Sequence, residues 1–524
     1  MKLGERTINN ALFNALSSLV PLALSMILWP FIVARLGTDA YGVLALVWSV
    51  MGYFALLNLG LGNAVVKYVA EFTGRGDMAG TRQIIGSALT LFMGLGGLGL
   101  ILILAIARQL AVRWMKIPDE LIDPAYYAFC AASAGFFFTM LITLYNSVIN
   151  GLIRYDITSV INAVMGAFTT IATAVVLHFG FSLLAVVLVN VAIPLATLLV
   201  YVATMSRLQP TLQTGPSWDL KTVKTIMRFG MYALLSRITD VIVRQVDILI
   251  IGAMLGVSSV TYYVIPCTIL NRLTSLLGRI GMVIFPAVSE LQGQRRPEVI
   301  EQLYFTSSRV MLLLSTACIL PVLIFGRQFL ALWMSPAFAA QGGTALILIA
   351  WSVYLDLLTN VPTFVVDGLG HPKVTGVAAF SHALVFLGLI VPLARTMGID
   401  GVALSLLLSA VAVTAPFLLY THRVILRIPI SRLLRESYFK PLAAGALLAG
   451  ALWFIPDHVA RNLPTVLALM SGSVMAYFLL ALLMGAFETH EKEIVLAYVR
   501  GVVRRLNKKK RATDESVPLE VESN

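Results

Sequence analysis

The sequence predicts an all-α polytopic membrane protein of about 14 transmembrane helices, and three observations carry that reading. Of 524 residues, 59% are hydrophobic and 12% charged, with a mean hydropathy of +0.88. Soluble domains do not carry that balance. The apolar residues gather into stretches of the length, about 20 residues, that crosses a bilayer. The sequence also repeats itself at an offset of 219 residues, each match falling at the same place in the pattern of spans. The repeat unit holds six spans. Six is even, so both copies share one orientation, and a pseudo-twofold axis along the membrane normal relates them.

The spans run 11–34, 40–65, 84–107, 125–150, 157–178 and 181–204 in the first copy. The second copy holds 228–256, 258–287, 307–330, 341–366, 374–396 and 401–421, and an added pair covers 440–456 and 463–487. The matches that tie the copies are Leu36-Gly37 with Leu255-Gly256, Glu71 with Glu290, Gly74 with Gly293, and Trp114-Met115 with Trp333-Met334. Asn150-Gly151-Leu152 then aligns with Asp367-Gly368-Leu369 at 217, after one two-residue gap. The expected organisation is a six-helix lobe over 1–204, a linker over 205–227 and a second six-helix lobe over 228–422. Two extra helices over 423–490 and a tail over 491–524 complete it. Pro210, Gly215 and Pro216 mark the linker, and its amphipathic end, Trp218 to Met227, reads as an interfacial helix. The tail is basic, then polar and acidic, with few apolar anchors, which predicts disorder.

Charge fixes the expected orientation. With the N-terminus cytoplasmic, 27 Lys and Arg residues fall in cytoplasmic segments and 7 on the opposite side. That asymmetry places both termini inside. It also accounts for the net charge of +12 without any nucleic-acid partner. Cys130, Cys267 and Cys318 all lie in apolar stretches, as small buried side chains without disulfides do. The first apolar run follows Lys2 and Arg6 and lacks a small-x-small cleavage site, so it reads as a retained span.

The chemistry sits in the seventh span. Arg237, Asp240, Arg244 and Asp247 follow one another at steps of three, four and three, on one stripe of a helix. Charge within a membrane costs several kcal/mol unless it faces protein or water. The stripe is therefore either a packing seam of Arg–Asp pairs or a wall of a hydrated cavity, and four alternating charges favour the cavity. In the eighth span Arg272 and Arg279 are seven apart, on one face; in the tenth, Asp356 and Asn360 are four apart. At the repeat offset, Arg237, Asp240 and Arg244 answer to Ser18, Pro21 and Ser25, while Arg272 and Arg279 answer to Tyr53 and Gly60. The copies share architecture but not charge. Arginine suits bidentate phosphate binding and stays ionised when buried, so the four arginines are the expected anion site. Asp240, Asp247 and Asp356 are candidates for charge balance or for a coupling proton or sodium ion. Asn14, Ser18, Ser25, Asn58 and Asn360 are polar cavity candidates. Asn146, Asn150 and Asn162 either bind sugar hydroxyls or join helices, the commoner use.

Enzyme signatures are lacking. Gly94-Leu95-Gly96-Gly97-Leu98-Gly99 fits G-x-G-x-x-G but lies within a span with no strand before it, so helix packing explains it better. There is no P-loop, and the six histidines have no metal-ligand spacing. His382, in the eleventh span, reads as a core histidine before it reads as a proton group.

Arg35-Leu36-Gly37, Tyr41-Gly42, Asn58-Leu59-Gly60 and Lys67-Tyr68 followed by Ala70-Glu71 resemble the opening of the polysaccharide transporter (Wzx-type) flippases. These belong to the multidrug/oligosaccharidyl-lipid/polysaccharide exporter superfamily. Asp247 to Gly252 and Leu255-Gly256 are similar in the second copy. The resemblance implies a MATE-like fold of two six-helix lobes around a central cavity. It implies alternating-access transport of a polyprenyl-diphosphate-linked oligosaccharide across the bacterial inner membrane, for O-antigen-type polysaccharide synthesis. The implied partners are that substrate, inner-membrane lipids, and the polymerase and glycosyltransferases of the same pathway. The added helix pair resembles that of the lipid II flippases. The alternative within the superfamily is a cation-coupled multidrug exporter. That function favours acids for a cationic drug, and the first span has none. A scaffold would not need the charged stripe, and a polymerising enzyme should show large loops outside; here those loops are short. Outward movement of a diphosphate gains about 2.3 kcal/mol per charge per 100 mV from an inside-negative potential. Cation exchange on the aspartates would be a second energy source.

Overall fold

The computed structural model describes residues 23–212, 215–454, 459 and 461–487, apart from the side chains of 229–244 and 279–280. Every regular element among the described residues is a helix. Helix α1 (Ala23–Leu36) turns into α2 (Thr38–Phe54) at Gly37, whose φ of 81° suits glycine. Next come α3 (Leu61–Gly74), α4 (Met78–Gln109), α5 (Asp119–Gly151), α6 (Tyr155–His178) and α7 (Leu183–Leu208). The second copy holds α8 (Leu220–Met254), α9 (Val257–Gly281), α10 (Ile284–Gly293), α11 (Pro297–Trp333), α12 (Pro336–Gly368) and α13 (Pro372–Tyr420). A short α14 (Ile430–Leu433) precedes α15 (Phe439–Trp453) and α16 (Leu463–Leu483).

Local chemistry sets many of these boundaries. Proline opens α11, α12 and α13, where its missing N–H leaves no bond unmade. Asp77 caps α4 by accepting from Gly80 N at 2.8 Å, and Asp219 caps α8 by accepting from Thr222 N at 2.8 Å. The bonds from Thr222 hold the Asp219 carboxyl below its ordinary range.

Nine described helical stretches are long and apolar enough to cross a membrane. They carry ten of the fourteen expected spans, because α13 holds two, divided at Gly398 (φ 61°, ψ −133°). Of the other four, α1 is described only from Ala23, α15 has 15 residues, and α8 and α9 are the helices that carry the charges. Two expected spans are broken. The 40–65 stretch divides between α2 and α3 at Leu59 and Gly60 (φ 50° and 70°), and the 258–287 stretch divides between α9 and α10.

The two copies carry the same backbone marks. Positive φ recurs at Gly37 and Gly256, Gly76 and Arg295, Ile153 and Gly370 and, one residue out of that register, Gly180 and Gly398. The C-terminus of α3 at Gly74 answers to that of α10 at Gly293, and Met78 opens α4 as Pro297 opens α11. Glycine contacts recur too. A Cβ on Gly151 would lie 2.8 Å from Val69 Cβ, and one on Gly368 would lie 2.9 Å from Val288 Cβ. Gly62 packs on Thr143 and Ser147; Gly281 packs on Asn360 and Phe364, the corresponding positions.

The described residues cluster into two compact units. One comprises those of Met1–Ser275, Gly326–Asp356 and His371–Phe417. In it α5 packs against α2, α3, α4 and α7. Gly96 and Gly99 of α4 receive Phe136, Phe137 and Met140 of α5, so the glycine-rich run is a helix-packing face. The other unit comprises the described residues of Leu276–Phe325, Leu357–Gly370 and Leu418–Asn524. Its core joins Leu313 and Ala317 of α11 to Ala444 and Leu448 of α15 and Tyr477 and Ala481 of α16.

Candidate functional site

Helix α8 runs unbroken through the charged stripe, so Arg237, Asp240, Arg244 and Asp247 share one face of it. The side chains of Arg237, Asp240, Arg244 and Arg279 lie outside the described residues, as do Asn14 and Ser18 altogether. Asp247 is described and is 5% exposed. Its Oδ2 accepts from Tyr263 Oη at 2.7 Å, and its Oδ1 from Ile248 N at 2.8 Å. Tyr53 and Cys267 lie beside the same carboxylate. Asp247 therefore ties α8 to α9 through a buried side-chain hydrogen bond. Tyr263 escapes a search for charges, but its place is legible. The turn at Gly256 puts it seven residues after the bend and Asp247 nine before, at similar depth.

Arg272 is placed differently. It is exposed on α9 beside exposed Asn271, and it makes no ion pair with any described residue. Asp356 is exposed on α12. Asn360, four residues on, is half-buried against Gly281, and its Oδ1 finds no hydrogen-bond partner among the described residues. Ser25 is half-buried on α1. Asn58 acts on its own stretch of backbone, where its Oδ1 accepts from Gly62 N at 3.4 Å, at the start of α3.

The asparagines of the first copy join helices. Thr158 Oγ1 donates to Asn150 Oδ1, Asn150 Nδ2 to Asn146 Oδ1, and Asn146 Nδ2 to Tyr201 Oη, each at 2.8 Å. Tyr201 Oη donates onward to Asn162 Oδ1 at 3.0 Å. This chain links α5, α6 and α7 and engages the polar groups otherwise open to sugar hydroxyls.

One end of the first unit is a seam between the two copies, unforeseen in the sequence. Thr261 Oγ1 donates to Thr38 O at 2.6 Å. Across the repeat, Gly42 answers to Thr261 and Val257 to Thr38, and Gly42 indeed lies against Val257 O, so closely that a Cβ would collide. Ser49 Oγ donates to Gln245 O at 3.4 Å, and Trp333 Nε1 to the equivalent Met26 O at 2.8 Å. Lys116 closes the α8–α9 turn: its N donates to Gly252 O at 3.0 Å, its Nζ to Met254 O at 2.6 Å, and its O accepts from Val257 N at 3.4 Å.

Nine described helices of membrane length make this a polytopic membrane protein, and its relatives are transporters rather than enzymes. The model of the family described as "Polysaccharide biosynthesis protein" matches residues 32–337, and the chain belongs to that family. A putative O-antigen transporter of Shigella flexneri is 20% identical over 405 residues, 76% of this chain and 93% of the relative. A membrane protein of Bacillus subtilis, EpsK, is 23% identical over 62% of this chain and 65% of its own length. The fold is similar to that of the lipid II flippase MurJ in an inward closed conformation, with a TM-score of 0.68 at 12% identity over 91% of this chain and 98% of that one. It is also similar to an inward-facing multidrug resistance transporter of the MATE family, in the MOP superfamily. There the TM-score is 0.64 at 16% identity, over 81% of this chain and 96% of that one.

Proposed function

We propose that the protein flips a polyprenyl-diphosphate-linked oligosaccharide across the bacterial inner membrane by alternating access. The observation that carries this reading is Arg272: an exposed guanidinium on α9, free of any described carboxylate, on the same helix face as Arg279. A membrane-protein cation with no described carboxylate beside it suits an anionic partner, and a diphosphate matches its fork of donors. The Shigella relative, a putative O-antigen transporter, supports the choice of substrate class. Two six-helix lobes related by a pseudo-twofold would form the moving parts, and the recurring backbone marks support that pairing. The seam would be the shut face of an alternating-access cycle. With both termini cytoplasmic, Arg237 and Arg279 would stand nearer the cytoplasm than Arg244 and Arg272, a ladder for the headgroup. Asp247, held by Tyr263, balances charge; exposed Asp356 is the candidate for a coupling proton or sodium ion.

The test is export of the lipid-linked glycan by variants that insert normally. Arg272→Ala with Arg279→Ala should abolish export, and lysine at both positions should restore only part of it. If the stripe on α8 is structural alone, Arg237→Ala should lower stability and Asp240→Ala should restore it. Full export from the well-expressed double alanine variant would overturn the cationic cavity.

A further inference from the structure

The connector between α13 and α15, residues 421–438, is built as a platform. Its inner side is anchored. His422 is 1% exposed; its Nδ1 lies 3.1 Å from Ile428 O and its Nε2 2.9 Å from Tyr304 Oη. A carbonyl only accepts, so Nδ1 carries the proton and Nε2 accepts from the tyrosine. Ser437 Oγ donates to Phe305 O at 2.9 Å, and Tyr438 Oη to Leu358 O at 3.3 Å. Arg432 bonds Glu301 and, at 2.9 Å, Glu436, while its guanidinium sits over Phe305.

No described carboxylate compensates the outer side. Arg423, Arg427 and Arg435 are exposed and pair with no described carboxylate. Between and beside them stand exposed Val424 (50%), Leu434 (49%) and Phe439 (66%). The left-handed backbone at Arg427 (φ 56°) turns the chain midway. We propose that this surface binds the headgroups of anionic glycerophospholipids. The connector continues a membrane-length stretch that runs to Leu426 and leads into the apolar, 15-residue α15, which sets it at the level of lipid phosphates. Arginines interleaved with apolar side chains match that layer: the cations meet phosphate and the apolar groups enter the acyl boundary. The arginines are spread along the connector rather than converged, so the fit is to a sheet of headgroups and not to one free phosphate. Arg432, already neutralised, contributes position rather than attraction.

Each basic residue near an anionic surface is worth about fivefold in binding, so the three together are worth on the order of a hundredfold. The full-length protein, with its native cysteines replaced, is labelled with a polarity-sensitive dye at S431C and reconstituted in nanodiscs. Quenching by brominated phosphatidylglycerol is compared with quenching by brominated phosphatidylcholine. The anionic lipid should quench at a far lower mole fraction. R423Q/R427Q/R435Q should erase the difference, while R423K/R427K/R435K, which keeps the charge, should retain most of it. Equal quenching by the two lipids in the parent protein, or an unchanged preference in the glutamine variant, overturns the proposal. So does loss of the preference on adding inorganic phosphate at unchanged ionic strength, which would mark a site for a bare anion.

Discussion

Gly42 shows how much of this fold rests on single side chains being absent. Its Cα lies against Val257 O, whereas Gly94 has open space around it. Gly42→Ala should therefore destabilise the protein by about 1–3 kcal/mol through overpacking. Gly94→Ala should be neutral or slightly stabilising, because alanine is the better helix former. Thermal unfolding of the two variants in detergent distinguishes them, and equal midpoints would remove the seam's claim to tight contact. At this scale the sequence was partly legible. Leu36-Gly37 and Leu255-Gly256 stood out as a match between the copies, and both glycines have positive φ. The charge on Asp247 was evident, but its bond to Tyr263 was not, because a tyrosine in an apolar run reads as core. Lys116 was invisible for the opposite reason. A loop lysine is ordinary, and its role depends on two carbonyls, Gly252 O and Met254 O, more than a hundred residues away in the chain.

The elements of the C-terminal pair carry a prediction of their own. Helices α15 and α16 meet α11 through small residues, with Ala444, Gly445 and Ala481 toward Ala317 and Thr316. A Cβ on Gly445 would stand 3.0 Å from Thr316 Cγ2. In a membrane, close approach rather than the hydrophobic effect holds helices together. Gly445→Leu should thus free the pair while α1–α13 stay folded. The measurable result is faster proteolysis within 421–438 with no change in the protease resistance of earlier loops; an unchanged digestion pattern would contradict the small-residue interface. Hydropathy marked α15 and α16 as membrane segments, yet it could not say which helix they join, because lipid and neighbouring helix look equally apolar. Helix breaks were hidden for a related reason. The stretch over 40–65 stays apolar through Leu59 and Gly60, where the backbone turns left-handed.

For the whole molecule, the repeat was the most legible feature, since glycines and tryptophans at turns survive in the sequence where ordinary core residues interchange. The expected orientation is testable at this scale. Single cysteines beside Lys67 and Arg432 should react with membrane-impermeant maleimide only after the cells are opened, and one beside Lys116 should react in intact cells. The reverse pattern would invert the topology. A consequence for evolution follows from the seam. Its acceptors are Thr38 O, Met26 O, Gln245 O, Gly252 O and Met254 O, all main-chain atoms that any residue supplies. A junction written in carbonyls tolerates mutational drift: lineages can rewrite the side chains along it and still close it. Only Gly42, where a side chain does not fit, and the side-chain donors Ser49, Thr261, Lys116 and Trp333 would resist. Such a junction is one physical route by which chains 12% identical can keep a fold in common at a TM-score of 0.68.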